Sequence, residues 1–179
     1  IDTSWDRVKP NDELKLYINQ AKDSFDINHP YKIIDYLTLA HRELNRVFDR
    51  DWRAIKKNEV KNLIKATSGL FFEALSNVEL ASKGDEIKIK FDVINRSPYP
   101  IKLEKIQLDE MEIDINDSLE YNELLSVDKD FIIPLNADIS EKYWLKNIPD
   151  FGSYNIDDQT LVGEPDNKPT LEAKFCLLY

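Results

Sequence analysis

Cysteine, histidine, methionine and glycine are scarce in this chain of 179 residues: one Cys, one Met, two His and four Gly. A single Cys forbids an intramolecular disulfide and excludes thiolate-rich zinc sites, which need several sulfurs. Two His leave at most a sparse imidazole site, and neither stands in an H-E-x-x-H helix, so zincin chemistry is absent. Positive charge is short as well. The 24 Lys and Arg face 34 Asp and Glu, a net charge of −10. No basic stripe gathers the cations needed to displace counterions from duplex nucleic acid. Nor is there an apolar run of the roughly 18 residues needed to span a bilayer. The first residues, Ile1-Asp2-Thr3-Ser4, are polar rather than a basic region leading into an apolar core.

What is present points to a folded chain. Hydrophobic residues make up 42% and aromatics 11%, and a chain of this length buries roughly 70% of its unfolded surface, so its core needs no staple. The pattern changes near Asn77. Before it, apolar residues recur at helical spacing; after Val78 they alternate between turn residues. The expected fold is therefore α+β: a three-helix bundle over residues 1–77, then an immunoglobulin-like antiparallel β-sandwich over 78–179.

The first helix is expected to start at Asn11 or Asp12, after Pro10, with Leu14, Tyr17, Ile18, Ala21 and Phe25 as its stripe. Pro30 suits the first turn of a second helix, whose face continues through Ile33, Ile34, Leu37, Ala40, His41, Leu44, Val47 and Phe48. After a break at Asp49-Arg50-Asp51, a third helix is expected from Trp52 to Leu75 with Gly69 inside it, marking close packing or a kink. Lys83-Gly84-Asp85 then separates Val78–Ala81 from a half-buried strand at Glu86–Ile94. Beyond the turn Asn95–Pro100 the inward face switches along Ile101–Leu108, which a bulge near Glu104 reconciles. Further short strands are expected at Glu112–Asn116, Glu123–Val127, Phe131–Leu135, Gly152–Ile156 and Leu171–Leu178.

Candidates for chemistry are few. His29 reads as a polar loop residue, with a metal or catalytic role requiring partners from elsewhere; His41 reads as a packed, hydrogen-bonded histidine. Asp49-Arg50-Asp51 is explained by helix capping and a surface ion pair, with cation or sugar binding as the alternative. The acidic run Asp109 to Glu120 lacks the glycine of a calcium loop and reads as a solvated edge, with adventitious calcium as the alternative. Ser4, Ser68, Ser97 and Cys176 have no nucleophile motif around them. Tyr143-Trp144-Leu145 and Phe151-Gly152-Ser153-Tyr154 are richer: Trp144, Tyr143 and Tyr154 can stack on sugar faces or, equally, seal the end of a sandwich. Arg96, in a turn shaped by Asn95, Ser97, Pro98 and Pro100, reads as a brace for a carboxylate, with ligand contact as the alternative.

The order of several short motifs adds a resemblance that spans nearly the whole chain. Asp2-Thr3-Ser4-Trp5-Asp6-Arg7-Val8, Asp51-Trp52 with Lys56, and Gly69-Leu70 precede Lys83-Gly84-Asp85 and Val93-Ile94-Asn95-Arg96-Ser97. Tyr143-Trp144-Leu145, Gly152-Ser153-Tyr154 and Leu161-Val162-Gly163-Glu164-Pro165 follow. Together they resemble the segment downstream of the catalytic domain in large bacterial deacetylases of the PIG-L (LmbE-like) family. The resemblance implies a parent whose catalytic domain binds zinc through a His-Pro-Asp-Asp motif and removes N-acetyl groups from amino sugars. It also implies an extracytoplasmic location, periplasmic or secreted. Here His29-Pro30 is followed by Tyr31-Lys32, so no catalytic or metal residue carries over. The resemblance implies a fragment that is not itself an enzyme and has no cofactor of its own, with zinc in the parent's catalytic domain. Its partners would be that domain and carbohydrate, and neither nucleic acid nor a membrane span.

Overall fold

The computed structural model describes residues 5–7, 9, 12–167 and 169–179. Of the helix start expected at Asn11 or Asp12, Asn11 and the preceding Pro10 lie outside them, as do the motif residues Asp2, Thr3, Ser4 and Val8. The fold is α+β, with three α-helices and two three-stranded antiparallel sheets among the described residues.

Helix α1 spans Asp12–Asp23, with Asp12 and Glu13 in its first turn and Lys22 in its last, each sign matching the helix dipole. Phe25 falls beyond its end and is exposed, so the expected stripe stops at Ala21. Pro30 opens a 3-10 turn, Pro30–Ile33, that leads into α2, Ile34–Glu43. A helix of ten residues is marginal on its own. Burial of Ile34, Leu37 and Ala40 against α1 and α3 supplies what propensity does not. The 3-10 turn Leu44–Arg46 ends in extended Val47, which keeps its own side chain buried and turns Phe48 out to solvent, where it is 82% exposed. Phe48 therefore does not continue the buried face as expected.

Helix α3, Arg50–Ser68, is capped by Asp49, whose Oδ1 accepts the Trp52 N–H at 2.9 Å. It ends seven residues before the expected Leu75. Gly69 adopts a left-handed φ of 61°, its N–H reaching Ala66 O at 3.1 Å while the Leu70 N–H reaches Lys65 O at 3.2 Å. That pair of bonds closes the helix in a Schellman motif. Phe71–Ser76, read in the sequence as helix, is instead β1, paired antiparallel with β2, Glu86–Ile94. Val78–Ala81, set off from β2 by the turn Lys83-Gly84-Asp85, is irregular.

In β2, Ile87, Ile89, Phe91 and Val93 face inward as the alternation requires. Its other neighbour is β5, Leu124–Ile132, one continuous strand where two short ones were expected. The second sheet is β4-β3-β6: Met111–Ser118, Lys102–Leu108 and Ala173–Leu178. The register of β3 shifts between Leu103 and Lys105 against both neighbours, which is the irregularity expected at Glu104. No strand forms at Gly152–Ile156; that stretch keeps only an isolated bridge between Asp150 and Ser153. Buried residues of both sheets form one core, and Phe72 of the first stacks on Phe175 of the second with ring centroids 4.8 Å apart. Among the described residues no helix is long and apolar enough to cross a membrane.

Candidate functional site

The turn after β2 is organised by one side chain. Asn95 is 1% exposed, and a buried carboxamide is costly unless its donors and acceptor are used. All are used here. Its Oδ1 accepts from the Ser97 N–H at 3.1 Å and from Ser97 Oγ at 3.0 Å. Its Nδ2 donates to Tyr99 O at 2.9 Å and to Leu119 O at 3.3 Å. The backbone joins in: Asn95 O accepts the Asn122 N–H at 2.8 Å, and Ile101 O accepts the Leu119 N–H at 2.8 Å. Two prolines, Pro98 and Pro100, further limit the turn. The result is a rigid loop locked to the segment Leu119–Asn122.

This loop is also where helices meet sheets. Tyr99 packs against both hydrophobic cores and, among the described residues, is the partly buried one they share. Its hydroxyl donates to Asp35 Oδ1 of α2 at 2.5 Å. Burial first, and then the Asp35 carboxylate, push its phenol up to about 12. One residue pair away, a Cβ built on Gly69 would sit 3.0 Å from Cβ of Arg96, so the loop lies directly on the end of α3. Arg96 makes no ion pair with a carboxylate among the described residues, and its expected bracing role is not seen.

Beside the loop opens a cleft of about 550 Å³ whose walls include Pro98, Tyr99, Pro100, Tyr121 and Tyr179. Tyr121 and Tyr179 keep 57% and 41% of their surface exposed. Neither tyrosine stands out in the sequence. Tyr121 reaches the cleft through its bridge with Asn95, and Tyr179 follows β6 in chain order, 84 residues from Asn95.

The loop aromatics divide. Tyr143 and Trp144 are half-buried and meet edge to face at 4.8 Å. The Tyr143 hydroxyl donates to Glu164 O at 3.1 Å, and its N–H donates to Asn167 Oδ1 at 2.9 Å. Lys142 lies over the Trp144 ring at 5.7 Å and pairs with Asp166 at 2.5 Å. These contacts hold the long segment between β5 and β6 to itself. Tyr154 is 59% exposed and joins neither ring among the described residues. The structure thus brings together Tyr143 and Trp144, and leaves Tyr154 and Arg96 apart from them.

The remaining candidates are scattered. His29 Nδ1 lies 2.8 Å from Asp26 Oδ2 at the surface, and the His29 contact, with the Asn28 N–H, holds the Asp26 carboxyl below its usual range. His41 faces α3 instead. Cys176 is half-buried in β6 opposite Lys105. In the acidic run, Glu112 pairs with Lys105 at 2.9 Å, and Lys105 followed by Gln107 lowers its pKa. No group of three His, Cys, Asp or Glu side chains converges among the described residues. No family model, curated protein or solved structure matches the chain.

Proposed function

We propose that the chain is a non-catalytic accessory region of a PIG-L-like, zinc-dependent N-acetyl-amino-sugar deacetylase. In this reading the helices form a small bundle set on an immunoglobulin-like sandwich, and the whole positions a catalytic domain or extends its substrate surface. The sequence motifs supply the family. The observation that carries the scaffold role is the joint at Tyr99: its ring fills part of both cores while its hydroxyl bonds to Asp35. Helices and sheets so joined can hold a neighbouring domain at a fixed angle. The coding sequence upstream of Ile1 tests the family part. An α/β domain bearing His-Pro-Asp-Asp is expected there, and its absence would remove the assignment. The isolated chain is expected to release no acetate from N-acetylglucosamine oligomers.

A second reading, a carbohydrate-binding module, is favoured by the exposed tyrosine faces. Trp144 and Tyr143 are engaged within their own segment, so Tyr154 and the cleft tyrosines are its better stacking surfaces. Calorimetric titration with amino-sugar oligosaccharides separates the two readings. Heat that disappears in Tyr121→Ala or Tyr154→Ala, but persists in Trp144→Ala, supports this module; the absence of heat leaves the scaffold alone.

A further inference from the structure

His41 is the one histidine not held by a carboxylate among the described residues, and its surroundings are unusual for a group that can take a proton near neutral pH. It lies on α2 in the same row as Leu37, on the side that packs against α3. Its Nε2 is closed off from solvent and has no hydrogen-bond partner, and Thr38 Oγ1, one turn earlier, is in the same state. An imidazole nitrogen in that position is tolerable when neutral and costly when charged, because nothing accepts its proton.

The charges around it add to that cost. From α3, Lys57 and Lys61 act on the ring; no charged group of α1 or of the flanking turns does so among the described residues. Lys57 donates to the neutral Asn45 Oδ1 at 2.8 Å, and neither lysine is in a salt bridge among the described residues, so no paired carboxylate offsets their charge. Burial first, then these lysines, hold the imidazole below its ordinary value. His29 behaves as a built-in contrast, being exposed and paired with Asp26.

We propose that His41 is a pH-sensitive lock between α2 and α3: neutral, it packs in the helix interface; protonated, it puts a third positive charge beside Lys57 and Lys61 and loosens that contact. The same helix carries Asp35, so loosening α2 also weakens its bond to Tyr99 and the hold of the helices on the cleft loop. A folded-state value below the unfolded one means that the stabilisation is complete above about pH 6.5. It drains away as the pH falls from there toward the folded value.

Two measurements on the whole chain test this. In an NMR titration the His41 ring is expected to change with a midpoint below about 6.5, the ordinary histidine value, with His29→Gln used to assign the two histidines. In hydrogen exchange, corrected for intrinsic rates, amides of α2 and α3 are expected to lose protection as the pH falls between the unfolded and folded values of His41, at a rate of at most about tenfold per pH unit, while those of β2 hold theirs. His41→Gln should remove the pH dependence. A midpoint at or above the ordinary value, a protection loss shared equally by β2, or an unchanged pH dependence in His41→Gln would overturn the proposal. If His41→Gln does not fold, the wild-type titration and the location of the protection loss decide by the same criteria.

Discussion

The hydroxyl of Tyr99, at the tip of the loop after β2, donates to Asp35 Oδ1 on α2 across 64 positions of sequence. The two residues belong to differently patterned halves of the chain, and the bond lies beside a ring that fills part of both cores. Packing and polar contact therefore coincide at one residue. Tyr99 thus joins the two halves through both its ring and its hydroxyl.

Replacing only the hydroxyl separates these roles. Tyr99→Phe keeps the ring and loses the bond to a solvent-accessible carboxylate, which should cost about 1 kcal/mol. Asp35→Asn should cost less, because an amide oxygen still accepts. A double-mutant cycle by urea denaturation checks the pairing. Additive single effects would mean that the bond contributes nothing across the joint.

The raised phenol has a second consequence. Its folded value of about 12 lies above the ordinary value near 10. The proton-bound form is therefore the one that folding favours. The associated stability is fully present below about pH 10 and is lost as the pH rises from there through about 12. Tyrosinate absorbance over that range should show Tyr99, one of the eight tyrosines, ionising late because of its burial and this contact. In Tyr99→Phe that late step should be missing, and the fall of stability with pH should be shallower.

Gly69 ends α3 with a left-handed φ of 61°, and a Cβ there would meet Arg96 Cβ at 3.0 Å. Both facts oppose any other residue. Gly69→Ala should cost about 1–2 kcal/mol from backbone strain alone, with the displaced Arg96 backbone adding to it. Thermal unfolding of Gly69→Ala against an Arg96→Gly, Gly69→Ala double variant measures the contact: the double variant should recover part of the loss.

Much of this architecture could be read from residue order, and what could not has identifiable causes. Pro30, Asp49 and the alternation in Glu86–Ile94 act through local bonds and faces, so spacing reveals them. The bulge at Glu104 was legible because Ile106 and Leu108 break the alternation set by Leu103. Phe71–Ser76 was misread because Leu70, Phe71 and Leu75 also fit a helical stripe. Gly69 stops the helix through a φ value, and the pairing of Phe71 with Ile94 that decides the strand is remote. The candidate site was the least legible part. Arg96 drew attention for its charge, whereas the hub of the turn is its uncharged neighbour Asn95. Tyr121 and Tyr179 come from separate strand ends that meet only after folding.

The role of Asn95 can be tested by two substitutions that differ in shape but share one defect. Asn95→Ala removes four side-chain bonds from a residue that is 1% exposed. It leaves the Ser97 N–H and the carbonyls of Tyr99 and Leu119 without that partner, and should cost about 3 kcal/mol. Asn95→Asp is nearly isosteric and keeps the acceptor for Ser97, but its carboxylate cannot donate to Tyr99 O or Leu119 O and carries a charge into a buried site. If the amide donors are what lock the loop, Asn95→Asp should be as damaging as Asn95→Ala at neutral pH. It should also recover stability as the pH falls and the carboxyl, its value raised by burial, takes a proton and becomes a donor. Urea midpoints for both variants between about pH 7 and about pH 4 check this, because only the aspartate variant should gain relative to wild type. Equal pH dependence in the two variants would show that the bonds to Tyr99 and Leu119 do not hold the cleft loop in place.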